Sequence, residues 1–345
     1  MNDLTFSLGQ NPSRVVFSKI ETIFHSTKAQ ALYVIDEFVA ENYKNQLEPI
    51  LAKPGNGFFV LPSGESSKDW ENIRKILESA FELGLARDSQ IIGIGGGVVT
   101  DAASFAASLY LRGIDLVLVP TTLLAMVDAA FGGKTGVNFG GFKNMVGTFY
   151  PAREVRVSTH FLTTLPEKEF RSGLAEVIKS ALIDDSNLYD LLANRKEDIF
   201  LRKSEILDEI VFRSLGVKGR IVEADLTEQG IRAHLNLGHT FAHALETVTG
   251  FGTWSHGEAV AWGIGRALEL GVQLGTTSRS YTDEVIRLLK DYNFTLSISV
   301  DSDELILAMG RDKKKQEGRL RFVLQSGPSA TFIQEVPEAE VRKVL

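Results

Sequence analysis

The chain has 345 residues, a formal net charge of −7 at pH 7 and no cysteine. Without cysteine there is no disulfide, thiolate metal site or cysteine nucleophile, so a tightly held metal must use His, Asp, Glu or water. The acidic balance argues against a general nucleic-acid binder, and an anionic ligand would need a local cluster of Lys and Arg.

At roughly 150 residues per domain the length predicts two domains, with cores large enough to stand without staples. Residues 1–10 (MNDLTFSLGQ) lack a basic start followed by an apolar run, which predicts no secretory signal. No apolar stretch approaches the ~18 residues of a membrane span. A cytoplasmic protein without a membrane partner is expected.

In chain order, residues 31–35 (ALYVI), 57–61 (GFFVL), 91–94 (IIGI) and 116–119 (LVLV) read as buried strands bounded by turn residues. Between them Trp70, Ile73, Leu77, Ala80 and Phe81 mark one helix face, and Gly84 stands where a C-terminal cap belongs. Strands alternating with helices imply a parallel sheet covered on both faces. From about Leu165 the pattern becomes helical, over 167–184, 203–224, 229–249 and 256–274, and strand signals return near 320–324 and 330–334. The expected boundary lies near Ser158, without a flexible linker, between closely packed domains with a cleft.

Residues 91–101 (IIGIGGGVVTD) run a strand into Gly95, Gly96 and Gly97 with a helix to follow. Glycines there let backbone approach a pyrophosphate, and the helix N-terminus adds positive potential. The G-x-G-x-x-G fingerprint is not met, because Val98 stands at its last position, and a plain tight turn is the alternative. Asp36, after the first strand, suits ribose hydroxyls or is a loop acid. Glu65 and Lys68 could contact a nucleotide or simply open the next helix.

Four of the six histidines fall between residues 234 and 256. His239 and His243, four apart, would share a helix face. His256 follows in WSHGE (254–258), and Glu176 in GLAEVIK (173–179) could complete a His/His/Glu set with an open position, the pattern of a catalytic metal. A buried hydrogen-bond network is the alternative. Glu176 and Lys179 share a face as well. Lys134, Lys143, Lys179, Lys218, Arg232 and Lys313–Lys315 are cations that could converge on a phosphate and a carboxylate. Arg232 precedes Asn236 by four residues and His239 by seven, which predicts one helix face for all three.

Taken together, GGGVVTD (95–101), VPTTLLAMVDAAFGGKTGVN (119–138), KNMVG (143–147), TLPEKEFRSGLAEVIK (164–179), EQGIRAHLNLGHTFAHALE (228–246), SHGEAVAWG (255–263) and DKKKQEGRLRFVL (312–324) resemble the 3-dehydroquinate synthases, in order over about two thirds of the chain. The resemblance implies an α/β N-terminal NAD-binding domain with a parallel sheet (1–157) plus a mostly α-helical C-terminal metal-binding domain (158–345), in a homodimer. It implies Zn2+ or Co2+ on Glu176, His239 and His256, which moves His243 to the substrate. NAD would meet Asp36, Glu65, Lys68, Gly96, Gly97, Asp101, Thr121, Thr122, Lys143, Thr164, Leu165 and Glu169. A sugar acid phosphate, 3-deoxy-D-arabino-heptulosonate 7-phosphate, would meet Asp128, Lys134, Asn144, Lys179, Lys218, Arg232, Asn236, His243 and Lys314 or Lys313, with Arg112 from the neighbouring subunit. Where the family commonly has G-D, two serines and a glycine, this chain has Thr100-Asp101, Ala129-Ala130 and Ala242. Three other functions compete: a related cyclase whose substrate lacks a carboxylate, a metal-dependent polyol dehydrogenase, and a non-catalytic binder of NAD or metal. The presence of both Lys218 and Arg232 favours the synthase.

Overall fold

The computed structural model describes residues 3–9, 11–140, 142–250, 252–312 and 319–345. The chain forms two compact units, Met1–Leu165 with Leu207–Thr227, and Pro166–Ile206 with Glu228–Leu345.

The first unit is built on a seven-stranded sheet. Its strands are β1 (Leu4–Leu8), β2 (Asn11–Phe17), β3 (Ala31–Asp36), β4 (Asn56–Leu61), β5 (Gln90–Gly95), β6 (Asp115–Pro120) and, after a small hairpin of β7 (Val137–Phe139) and β8 (Phe142–Val146), β9 (Glu154–Val157). The order is β1-β2-β9-β6-β5-β3-β4, with β1 antiparallel to β2 and every other neighbour pair parallel. All six residues of β5 are buried, as expected of a strand covered on both faces. The four strands read from sequence are β3 to β6; β1, β2 and β7 to β9 are short or mixed in polarity and gave no such signal.

The helices of this half are α1 (Glu37–Asn42), α2 (Lys44–Leu51), α3 (Trp70–Glu82) and α4 (Gly97–Leu109). Helix α3 buries Ile73, Ile76 and Ala80, whereas Trp70 and Phe81 are exposed, so the buried stripe is narrower than the sequence suggests. Gly84 takes φ +69 just beyond α3, and the Leu85 amide bonds to the Ala80 carbonyl at 3.1 Å, as a C-terminal cap requires. The Gly- and Ala-rich α4 lies hard against β5: a Cβ on Gly93 would sit 2.7 Å from that of Ala103.

The second unit carries α5 (Glu167–Asp184), α6 (Ser186–Asn194), α7 (Lys196–Phe200) and the start of α8 (Ser204–Ala224), then α9 (His239–Thr249), α10 (His256–Gln273), α11 (Arg279–Asp291) and α12 (Ser302–Asp312). Strands β10 (Arg319–Gln325) and β11 (Thr331–Pro337) close it as an antiparallel pair. Helix α10 is buried along most of its length and packs on α5, α9 and α11, which makes it the core element.

The first unit is not continuous in sequence, because α8 from Leu207 onward joins it. Gly219 has no side chain where the Phe6 ring lies, Phe212 packs on Phe17, and Thr159 donates to Asp208 at 2.6 Å. Nor is 229–249 one helix. A 3-10 turn spans Ile231–Asn236, Leu237 turns extended, and Gly238 at φ +81 precedes α9. Arg232 and His239 therefore do not share a helix face. The break follows from packing: a Cβ on Gly238 would meet the Ile264 backbone at 2.7 Å, and one on Gly263 would meet the Gly238 carbonyl at 2.2 Å.

Candidate active site

Three helices of the second unit bring Glu176 (α5), His239 (α9) and His256 (α10) together, with ligand atoms all within 4.8 Å of one another. Glu176 is 1% exposed; its Oε1 lies 3.8 Å from His239 Nε2 and 3.5 Å from His256 Nε2. Its Oε2 is taken by Lys179 Nζ at 2.5 Å. His239 Nδ1 lies 3.3 Å from the Leu237 carbonyl, and His256 Nδ1 lies 3.6 Å from Glu246 Oε2. Each imidazole thus turns Nε2 inward and leaves Nδ1 to an acceptor behind it. Two imidazoles and a carboxylate in a confined space fit a zinc-class dication, and the oriented donors fit it better than an unspecific polar network would. Burial works against a charge on His256, but the Glu176 and Glu246 carboxylates outweigh it and hold the imidazole pKa up at about 9. His243 is exposed beside the cluster, its ring 5.5 Å from that of His239. The i,i+4 pair does share a face, but the ligand set pairs His239 with His256 instead.

The sequence SHGE explains how His256 arrives there. Ser255 caps α10, and Glu258 closes a capping box by accepting from the Ser255 amide at 2.9 Å. Burial alone would raise the Glu258 pKa, yet the Ser255 hydrogen bonds and Arg171, 2.9 Å away, hold it below the usual range. Gly257 presses on α5: its amide donates to Ser172 Oγ at 3.0 Å, and a Cβ there would stand 2.0 Å from the Ser172 carbonyl. Ser172 is one turn before Glu176, so this contact sets His256 against the carboxylate. Glu258 is a structural group, and Ala242 is wholly buried, its amide 3.2 Å from where a Cβ on Gly263 of α10 would stand.

In the first unit, β3 leads to β4 on one side and the chain returns to β5 on the other, so the strand order reverses between β3 and β5. Crevices at such a reversal, beyond the carboxyl ends of the strands, bind nucleotides. Asp36 ends β3, Gly96 caps α4 without a side-chain bond, and Thr121 and Thr122 follow β6. A Cβ on Gly95 would meet Val99 at 2.6 Å and Asp36 at 3.0 Å, and one on Gly96 would meet Thr122 at 3.1 Å. This bare backbone at the start of a 13-residue helix fits a pyrophosphate. Asp36 accepts from Ser63 at 3.1 Å and caps α1 through the amides of Phe38 and Val39.

Lys68 Nζ is buried and donates to both Asp101 and Asn144, joining a residue assigned to NAD with one assigned to the sugar phosphate. Burial pushes the Asp101 carboxyl up even against that ammonium. Asn138 donates to Glu65 at 2.9 Å, tying the β7–β8 hairpin to the 65–68 turn. That hairpin region carries exposed Lys134 and Asn144 and half-buried Lys143. Lys218 donates to the Asp128 carboxylate at 2.5 Å and to its carbonyl at 2.6 Å. Thr164 Oγ1 lies 3.1 Å from the Tyr43 hydroxyl, and Leu165 is buried. Arg112 is exposed at the end of a short 3-10 turn, Tyr110–Arg112, in which it and Leu111 both adopt positive φ.

In the second unit, Arg232 is buried, Asn236 donates to Glu228, and Glu169 is exposed on the first turn of α5. Lys313 and Lys314 lie outside the described residues. Sequence reasoning singled out no role for Glu246. The available signal was its spacing, seven residues after His239 and so on the same face of α9.

Comparison with known proteins agrees with this geometry. The 3-dehydroquinate synthase N-terminal family model matches residues 58–172 and the C-terminal one residues 173–315. A 3-dehydroquinate synthase of Caldanaerobacter subterraneus subsp. tengcongensis is 40% identical over 324 residues, 93% of this chain and 91% of that protein. Among solved structures, the ValA 2-epi-5-epi-valiolone synthase of Streptomyces hygroscopicus subsp. jinggangensis 5008, with NAD+ and Zn2+ bound, superposes with a TM-score of 0.88 at 26% identity, covering 97% of this chain and 96% of that one. A 2-deoxy-scyllo-inosose synthase in complex with carbaglucose-6-phosphate, NAD+ and Co2+ shares the fold at 23% identity and a TM-score of 0.86, over 99% of both chains. No helix among the described residues is long and apolar enough to cross a membrane. With both family models covering residues 58–315 and 40% identity over nearly its whole length, the chain belongs to the 3-dehydroquinate synthase family.

Proposed function

We propose that the chain converts 3-deoxy-D-arabino-heptulosonate 7-phosphate to 3-dehydroquinate and phosphate, as an NAD- and metal-dependent phosphate-eliminating cyclase. The observation that carries this reading is the Glu176/His239/His256 donor set in a chain of this family. When bound, the zinc-class ion supplies Lewis acidity to neighbouring hydroxyls and NAD supplies a temporary hydride acceptor.

The chain's own groups divide the remaining work. Lys179 neutralises Glu176 Oε2, leaves Oε1 toward the two imidazoles and holds a proton at Nζ. Lys134, Asn144 and His243 serve the phosphate, and Lys218, steadied by Asp128, and Arg232 serve the carboxylate, with Asn236 beside them. Asp36 takes ribose hydroxyls, and the Gly96–Gly97 turn takes the pyrophosphate. The remaining assignments to Glu65, Lys68, Asp101, Thr121, Thr122, Lys143, Thr164, Leu165 and Glu169 for NAD, and to Lys314 for substrate, belong to the same proposal. So do a cytoplasmic homodimer and an Arg112 that serves the neighbouring subunit; the exposure of that side chain supports its role.

The test is phosphate release from this substrate with NAD and zinc, with NADH absorbance followed alongside. Release without NADH build-up, abolished by a chelator, is the expected result. Silence from the metal-loaded protein, or steady NADH production from simple polyols, would overturn it.

A further inference from the structure

The two histidines of the metal set are held from behind by different means. His239 has Nδ1 facing a main-chain carbonyl at 3.3 Å and starts α9, with its side chain only 11% exposed. His256 is the first residue of α10, and its side chain is 31% exposed. Neighbours alone confine its ring less. Its Nδ1 instead faces Glu246 Oε2 at 3.6 Å, while Nε2 faces Glu176 Oε1 at 3.5 Å. Glu246 is itself 6% exposed and projects from α9, two turns beyond His239. A carboxylate buried this deeply is costly to keep unless it serves a charge or a donor. Here a donor stands in front of it. An imidazole that gives its Nδ1 proton to a carboxylate must offer a bare Nε2, the tautomer a metal needs.

We infer that Glu246 is a positioning residue of the metal site, one that fixes the ring orientation and tautomer of His256 so that Nε2 is presented beside Glu176 and His239. It is not one of the converging ligands: Glu176, His239 and His256 form that set, and Glu246 stands behind it. The inference rests on the metal reading given above.

The experiment measures zinc dissociation constants on the full-length chain by competition with a chromogenic chelator, for the parent, Glu246→Gln, Glu246→Ala and His256→Ala, and for Glu246→Ala combined with His256→Ala. Thermal midpoints are recorded with zinc and with excess chelator. Zinc binding in Glu246→Ala should weaken about 10–100-fold, in the range found for partners that orient ligating histidines. Glu246→Gln keeps an acceptor oxygen and should lose less. The midpoint under chelator should stay at the parent value, and in the His256→Ala background the second change should add nothing. Parental zinc affinity in Glu246→Ala overturns the inference, and so does an equal drop in its midpoint with and without zinc, the mark of a merely structural role. If Glu246→Ala does not fold, Glu246→Gln decides by the same criteria. A parent chain that binds no zinc would instead sink the metal reading itself.

Discussion

At the carboxyl end of β5 the candidate recognition surface is main chain: three glycines, the open first turn of α4, and one carboxylate, Asp36, at the end of the neighbouring strand. Around Glu176 it is side chain: two imidazoles, two carboxylates and an amine, and helices whose contributing residues stand 80 positions apart from Glu176 to His256. The first arrangement needs absence, since any Cβ on Gly95 or Gly96 closes the space. The second needs exact presence, since each donor is aimed by a partner behind it. Main-chain sites tolerate change in every side chain that does not intrude, whereas convergent sites fail when any supporting contact shifts.

The comparison breaks most sharply at the ligands. Glu176→Gln or His239→Ala should lower phosphate release by on the order of 10³-fold, the scale of losing several kcal/mol of Lewis-acid stabilisation. Elemental analysis should show the metal lost while NAD binding to the first unit persists; metal retained at full stoichiometry would contradict the ligand assignment. Next in size, Asp36→Asn keeps an N-cap oxygen for α1 but removes the charge from the ribose site. NAD affinity measured by fluorescence titration should fall about tenfold or more, the worth of a charged hydrogen bond, with the melting temperature unchanged.

Two glycine substitutions sharpen the contrast. Gly257→Ala drives a methyl into the Ser172 backbone, so α10 must lift from α5; a loss of about 1–3 kcal/mol in denaturant titration should come with weakened zinc binding. Gly95→Ala meets Val99 and Asp36 and should cost a similar amount, but weaken NAD and leave zinc binding alone. If both substitutions weakened both ligands equally, the two regions would not be independent. The smallest effect belongs to Ser255→Ala, which removes one half of the capping box and should cost about 1 kcal/mol with zinc affinity lowered only slightly.

Much of this was readable beforehand, for identifiable reasons. Strands β3 to β6 are short apolar runs framed by turn residues, and α5 and α10 carry long helical patterns, so their periodicity survives any packing. The segment 229–249 reads as helix because nothing in its own composition forbids it. Its break at Gly238 is imposed by the approach of Gly263, a residue 25 positions later. Phe81 looks like a core residue by spacing but lies on the exposed side of α3, because Ile73, Ile76 and Ala80 already fill the contact.

The sequence by itself determined the donor chemistry: with no cysteine, histidines and a carboxylate must form any tight metal site, and the glycine run must form any close backbone turn. It determined the family as well, through motifs whose order no single element explains. Only the tertiary structure decided that Glu258 caps a helix, that Lys218 pairs with Asp128, and that Glu246 stands behind His256. The physical reason is that such choices depend on how helices distant in sequence approach one another, and the side chains that permit the approach, Gly257, Gly238 and Gly263, carry no chemistry of their own.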